Sequence, residues 1–309
     1  MSAFSEANRK AFDELSATYN TKPWQLKLSA QVSEALEKRM DWMGVEWAKP
    51  DDRTSGRQVR LLDYACGTGS ITKALGSSVT TIRGIDISEN MVKVYNEAAR
   101  SSGLTVEQAN AVVGDLFATD VPNELQDDEL YNFDIAVVGL GFHHFEDPAL
   151  AVKRLAERLK AATGTLIIID FLPFDRKVAD QPKDMPDMST TIKHNGFIRE
   201  GMNKLFTDAG LGDFGFDILS EPTRMELQSG PVERTIFIAR GRKAPTVWGK
   251  VSNWFYSMQD GIGGQLGVKR DDGKWTAGLD GQTQKGTAPW SAGLSGSTQK
   301  ESRTWQGGL

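Results

Sequence analysis

The chain alternates between two kinds of hydrophobic spacing. Over residues 5–47 apolar side chains recur every three or four positions: Phe12, Leu15 and Tyr19 share one face, and Val32, Leu36, Met40 and Met43 another. That period predicts amphipathic helices. A polar linker, 49–57, follows, and the period then shortens. Segments 59–65, 81–87, 111–114, 133–139 and 165–171 read as strands. Helical segments separate them, over 70–75, over 91–100, and from Asp147, a natural N-cap followed by Pro148, to 159. The fifth strand is nearly all apolar, as expected of a strand buried on both faces. Residues 172–198 lose any period and carry Pro173, Pro182 and Pro186, so they are expected to form an irregular insertion or lid. A helix over 200–209, stopped by Gly210, leads to two closing strands at 214–219 and 234–240. The expected fold is α/β: a seven-stranded, mostly parallel sheet with an antiparallel strand at its end. It divides as an N-terminal helical cap (1–57), an α/β domain (58–243) and a tail (244–309).

The tail changes the picture. It holds 13 of the 31 glycines and five of the eight tryptophans. Trp275-Thr-Ala-Gly-Leu-Asp-Gly-Gln-Thr-Gln-Lys285 is echoed by Trp290-Ser-Ala-Gly-Leu-Ser-Gly-Ser-Thr-Gln-Lys300, with a shorter copy from Trp305 to Leu309. So glycine-rich a segment buries little surface against its ordering entropy and is expected to be mostly disordered. Before it, Val247, Trp248, Val251, Trp254, Phe255 and Met258 form a helical stripe. That stripe either docks on its own domain or makes a protein or membrane-surface contact. The repeat is either a multivalent recognition tail or a duplication without a role.

Bulk properties narrow the class. A formal net charge of −5 disfavours a nucleic-acid surface. The single cysteine, Cys66, has no internal disulfide partner, which fits a reducing compartment. The first residues lack an apolar signal core and no stretch reaches the ~20 apolar residues of a membrane span, so the chain is expected to be cytoplasmic. No cluster has metal-ligand spacing, so no metal is expected.

Four features carry chemistry. Asp63-Tyr-Ala-Cys-Gly67-Thr-Gly69 breaks the first strand into a glycine loop before a helix. Asp86 ends the second strand. Asp115, in Gly114-Asp115-Leu116, follows the third, and Gly139-Leu-Gly-Phe-His143-His144 ends the fourth. Ligands of open α/β sheets sit at these carboxyl ends. Together these motifs resemble the class I S-adenosylmethionine-dependent methyltransferases over roughly 12–240, most closely the small-molecule branch that includes the ubiquinone-biosynthesis type. The resemblance implies a Rossmann-like domain with S-adenosyl-L-methionine as cofactor. It implies that Gly67 and Gly69 pass under the methionine moiety and that Asp63 organises the loop and favours the cofactor's ammonium. Asp86 would take the ribose hydroxyls and Asp115 the adenine amino group, with Leu116 beside it and Met91 near the base. Ala65, Ile87, Gly139 and Tyr19 complete the implied cofactor contacts, with Trp24 as a second aromatic over the pocket. The acceptor is expected to be a small molecule, its reacting atom open, and His144, His143 and His194 are the candidate bases. Two other readings stand beside this one. The domain could bind the cofactor yet act as a scaffold through its tail. Alternatively it is a nicotinamide dehydrogenase, whose fingerprint wants a small residue where Thr72 stands.

Overall fold

The computed structural model describes residues 2–49, 56–175, 191–227 and 230–245, and in the tail the backbone of 269–271, 274–279 and 282–285. It separates into two units, Met1–Pro245 and Thr246–Leu309. The first contains a seven-stranded sheet ordered β3-β2-β1-β4-β5-β9-β6. Its strands are β1 (Arg60–Tyr64), β2 (Thr81–Asp86), β3 (Ala109–Val113), β4 (Ile135–Gly139), β5 (Thr165–Phe171), β6 (Leu211–Ile218) and β9 (Ile236–Lys243). Strands β1 to β5 pair in parallel, whereas β9 runs against both its neighbours. Every residue of β5 is buried, which is why its sequence shows no alternation.

The crossover helices are α3 (Ser70–Leu75), α4 (Glu89–Ser101) and α5 (Pro148–Arg158), with α6 (Arg199–Asp208) before β6. Asp147 caps α5, accepting from the backbone N–H groups of Ala149 and Leu150. Two apolar layers result. One packs α3 and α4, with Ile71, Leu75 and Tyr95, on the sheet, and the other packs α5 and α6, with Leu155 and Phe206. Strand order reverses between β1 and β4, so the crevice of the fold opens above those two strands.

The structure differs from the periodicity in three places. The run 5–47 is two helices, α1 (Ala3–Leu15) and α2 (Pro23–Glu37), followed by turns that hold Met40 and Met43. Pro23 opens the second helix because its ring cannot continue a first one, and Asn20 turns the linker at φ 58. Between β6 and β9 a hairpin appears, β7 (Thr223–Leu227) with β8 (Gly230–Arg234). Its cue in the sequence is the alternation of Thr223, Met225 and Leu227, whose ends are buried. In the tail, β10 (Lys269–Asp271), β11 (Lys274–Leu279) and β12 (Gln282–Lys285) form an antiparallel meander. The first repeat copy therefore lies on β11 and β12. The expectation of a mostly disordered tail does not include these strands. The other copies, the 246–258 stripe and residues 176–190 of the insertion lie outside the described residues.

The insertion closes on Gly196, whose φ is +90 and whose added Cβ would sit against the carbonyl oxygen of Leu172. Backbone cannot swing aside there as a side chain would. Gly196→Ala is expected to cost about 2–4 kcal/mol, lowering the melting temperature by roughly 5–10 °C in a thermal scan. An unchanged melting temperature would show that the segment re-forms without that turn.

Candidate active site

Two non-glycine residues adopt left-handed backbone at the carboxyl ends of the neighbouring central strands: Ala65 after β1 (φ 55) and Leu140 after β4 (φ 58). Such residues cost about a kcal/mol or more each and gather at ligand sites. Both line one cavity of about 380 Å³. Its walls come from the ends of β1, β2, β3 and β4 and from one stripe of α1.

Asp86 is the best-organised group in it. One carboxylate oxygen accepts from the Gly67 N–H (2.9 Å), the other from the Ser88 N–H (2.9 Å). Burial pushes this carboxyl up to about 6, the two N–H groups oppose the rise, and the nearby Asp13 carboxylate adds to it. Each oxygen accepts one of these bonds and still has lone-pair capacity for a further donor. Gly67 itself sits at φ +50 in the wall, under Tyr19, whose ring carbon would lie 3.8 Å from an added Cβ. Burial, with Asp86 nearby, pushes the Tyr19 phenol up to about 12, so it stays neutral. Asn20 fixes the loop from outside, donating to the Thr68 (3.1 Å) and Ser70 (2.9 Å) hydroxyls.

At the β3 end, Asp115 caps its own turn through the Phe117 N–H and keeps its other oxygen for the cavity, its carboxyl raised by burial. Tyr64, Phe117 and Phe145 form an aromatic corner, with ring centroids 4.8, 4.9 and 5.7 Å apart. A flat heteroaromatic base suits such a corner.

Of the cofactor residues expected from sequence, Ala65, Gly67, Asp86, Ile87, Met91, Asp115, Gly139 and Tyr19 line the cavity. Asp63, Gly69 and Leu116 lie behind the wall. Asp63 is fully buried and one oxygen accepts from both the N–H and the hydroxyl of Thr72. Burial raises its carboxyl to about 7. It organises the loop from beneath, and its other oxygen is buried without a hydrogen-bond partner. Gly69 is the left-handed N-cap of α3, and Leu116 is core. Thr72, bonded to Asp63 and to Tyr95 (2.7 Å), fills the position where a dinucleotide fingerprint needs a small residue. Trp24 packs on the core beneath α2.

The three histidines separate. His144 lines the cavity, edge-on to Phe12 at 5.1 Å. Its Nδ1 donates to the Thr191 carbonyl (2.8 Å), so that nitrogen carries the proton and Nε2 is an acceptor. Burial holds its pKa well below the usual histidine range, and His143 beside it adds to this. His143 is not in the lining. Its Nδ1 meets Asp170 (2.8 Å), and its backbone N–H donates to the same carboxylate (2.9 Å). His194 spends Nε2 on the Phe145 carbonyl (3.1 Å), also outside the lining. Asp170, unremarked in the apolar run of β5, is thus the anchor of the His143–His144 turn. Its sequence signal was an acid within an otherwise apolar buried strand. Asp170→Asn turns one accepting oxygen into a donor against an N–H. It is expected to cost about 1–3 kcal/mol, measured by chemical denaturation.

Fold and cavity together place a polar-walled site at a sheet switch point. Residues 62–168 match the family model for a methyltransferase domain. An uncharacterized methyltransferase of Schizosaccharomyces pombe is 31% identical over 159 residues, 50% of this chain and 53% of that protein. The ubiquinone biosynthesis O-methyltransferase of Methylococcus capsulatus is 31% identical over 107 residues, 35% of this chain and 41% of that protein. The chain thus spans about half, or less, of the length of these relatives. The magnesium protoporphyrin IX methyltransferase of Synechocystis PCC 6803, solved with bound SAH, shares the fold. Its TM-score is 0.53 at 15% identity, covering 78% of this chain and 100% of that one. Among the described residues no helix is long and apolar enough to cross a membrane.

Proposed function

We propose that this chain is an S-adenosylmethionine-dependent methyltransferase acting on a small molecule. The observation that carries the reading is Asp86, a carboxylate held open toward the cavity by the N–H groups of Gly67 and Ser88. Two ribose hydroxyls are the donor pair such a carboxylate suits. Asp115 takes the adenine amino group, the aromatic corner covers the base, and the Gly67 loop under Tyr19 receives the methionine end. When bound, the cofactor supplies a methyl group on a sulfonium sulfur that departs as a neutral thioether. The protein therefore needs no acid for the leaving group. Its work is alignment, worth up to ~7–11 kcal/mol, and, for an acceptor that carries a proton, removal of that proton by His144 Nε2. The neutral aromatic face of Tyr19 is compatible with a sulfonium nearby. A small-molecule acceptor is supported by relatives named for ubiquinone and menaquinone biosynthesis, which the match covers over 41–42% of their length.

Calorimetric titration of the full chain with S-adenosylmethionine and S-adenosylhomocysteine, followed by a methyl-transfer screen over a metabolite panel, tests the reading. Micromolar binding of both, with transfer to at least one metabolite, is expected. Absence of binding would overturn it. Binding without transfer to any metabolite would favour a scaffold acting through the tail.

A further inference from the structure

The stripe of α1 that roofs the cavity is polar where a roof over an apolar ligand would be apolar. Ser2, Ser5, Asn8 and Phe12 face inward at helical spacing. Asn8 is the informative member. It is only 3% exposed. Its Nδ2 donates to the Phe4 carbonyl (3.1 Å), which fixes the orientation of the amide, since a carbonyl only accepts. Its Oδ1 is buried with no hydrogen-bond partner. A buried acceptor left unpaired costs roughly 1–3 kcal/mol, so it marks a place where a donor arrives from elsewhere.

Where that donor lies follows from the neighbours. Phe12, one turn along the same stripe, contacts the His144 ring. At the other end of the stripe Ser2 donates to the Glu146 carboxylate (2.6 Å). Asn8 thus lies on the helix between Ser2, at Glu146, and Phe12, at the histidine, while Asp13, the residue after Phe12, lies near Asp86. The lining also has a sign. Asp86, Asp115, Glu146 and Asp147 are in it, and no Lys or Arg is among its described residues. An acceptor bearing a carboxylate or phosphate would meet like charge from these side chains.

We infer that Asn8 Oδ1 receives a hydrogen bond from the methyl acceptor, and that the acceptor is an uncharged molecule carrying an O–H or N–H donor. This rests on the cofactor reading above. In the transfer the acceptor's oxygen or nitrogen forms a bond to the methyl carbon as the S–CH₃ bond breaks. The sulfur keeps that electron pair, and the acceptor's proton passes to His144 Nε2. Asn8 accepts that donor in the ground-state complex, before the proton turns to His144. It selects and orients.

The test uses the full chain saturated with S-adenosylhomocysteine and three probes: 2-naphthol, 2-methoxynaphthalene, which lacks the donor, and 2-naphthoate, which is an anion. Calorimetry or fluorescence titration gives each affinity. The wild type is expected to bind the naphthol about fivefold to tenfold more tightly than its methyl ether, as one hydrogen bond allows, and to bind the naphthoate weakest. Asn8→Ala and the near-isosteric Asn8→Leu should each erase the naphthol preference while S-adenosylhomocysteine affinity stays within threefold. That second reading also reports that the variants fold. Three results would overturn the inference: a naphthol preference that survives both variants, tight naphthoate binding, or no naphthol binding. A tenfold loss of S-adenosylhomocysteine affinity in the variants would do so as well, by giving Asn8 to the adenosine. Failure of the wild type to bind S-adenosylhomocysteine at all would instead remove the cofactor reading.

Discussion

Asp86→Ala is expected to weaken S-adenosylmethionine binding by about 10²–10⁴-fold, because it removes a charged acceptor of two hydroxyl bonds, each worth roughly 1.5–3 kcal/mol. The same substitution releases the Gly67 N–H that shapes the loop. Asp86→Asn keeps the volume and one accepting oxygen but turns a donor toward one of the two N–H groups. The wild type should also show a pH signature. Its carboxyl, pushed up to about 6, accepts both hydroxyls only when ionised. Affinity should therefore be full near pH 8 and decline as pH falls through about 6. In Asp86→Asn the decline should vanish. Titrations from pH 5 to 8 check this. A flat wild-type profile would separate Asp86 from the ribose.

His144→Gln is the second large effect. A general base contributes roughly 10²–10⁴-fold, most when its pKa lies near the working pH. Burial depresses the pKa of His144, so it is always ready but weak, and a loss near 10² in kcat is expected. Cofactor affinity should barely move. With cofactor saturating, kcat should also stay level through the range where a free histidine would titrate, since this base takes up a proton only under more acid conditions. The control is His143→Gln, which disturbs the Asp170 anchor without removing Nε2 of His144. Should it cost more turnover than His144→Gln, the proton acceptor is the Asp170-paired ring. Acceptors that carry no proton should be indifferent to either change.

Much of this was legible because it is written in the backbone's needs. The glycine loop, Asp86 and the Asp147 cap are residues whose type is dictated by a turn, a carboxyl strand end or a helix start. Such positions announce themselves without a partner. The aromatic corner was not legible. Tyr64, Phe117 and Phe145 are far apart in the chain, and each reads as ordinary core until the sheet brings them together. Asn8 and Ser5 read as the solvated side of a helix, because hydrophobic period cannot tell water from a polar cavity. The adjacent histidines were visible, but which of them faces the cavity depended on Asp170 and Thr191, 27 and 47 residues away.

Asp13 has a consequence beyond fastening the first helix. It receives the Ser88 hydroxyl (2.6 Å) and the Asn90 N–H (3.1 Å), and its negative charge makes Asp86 harder to ionise. Linkage makes that reciprocal: the seated helix favours a protonated Asp86, and a protonated Asp86 favours the seated helix. In mild acid the empty chain should keep its entrance shut, with slower amide exchange along the first fifteen residues. Alkali should loosen it, so that loading of fresh cofactor speeds up on the same side of neutrality where the ribose is gripped best.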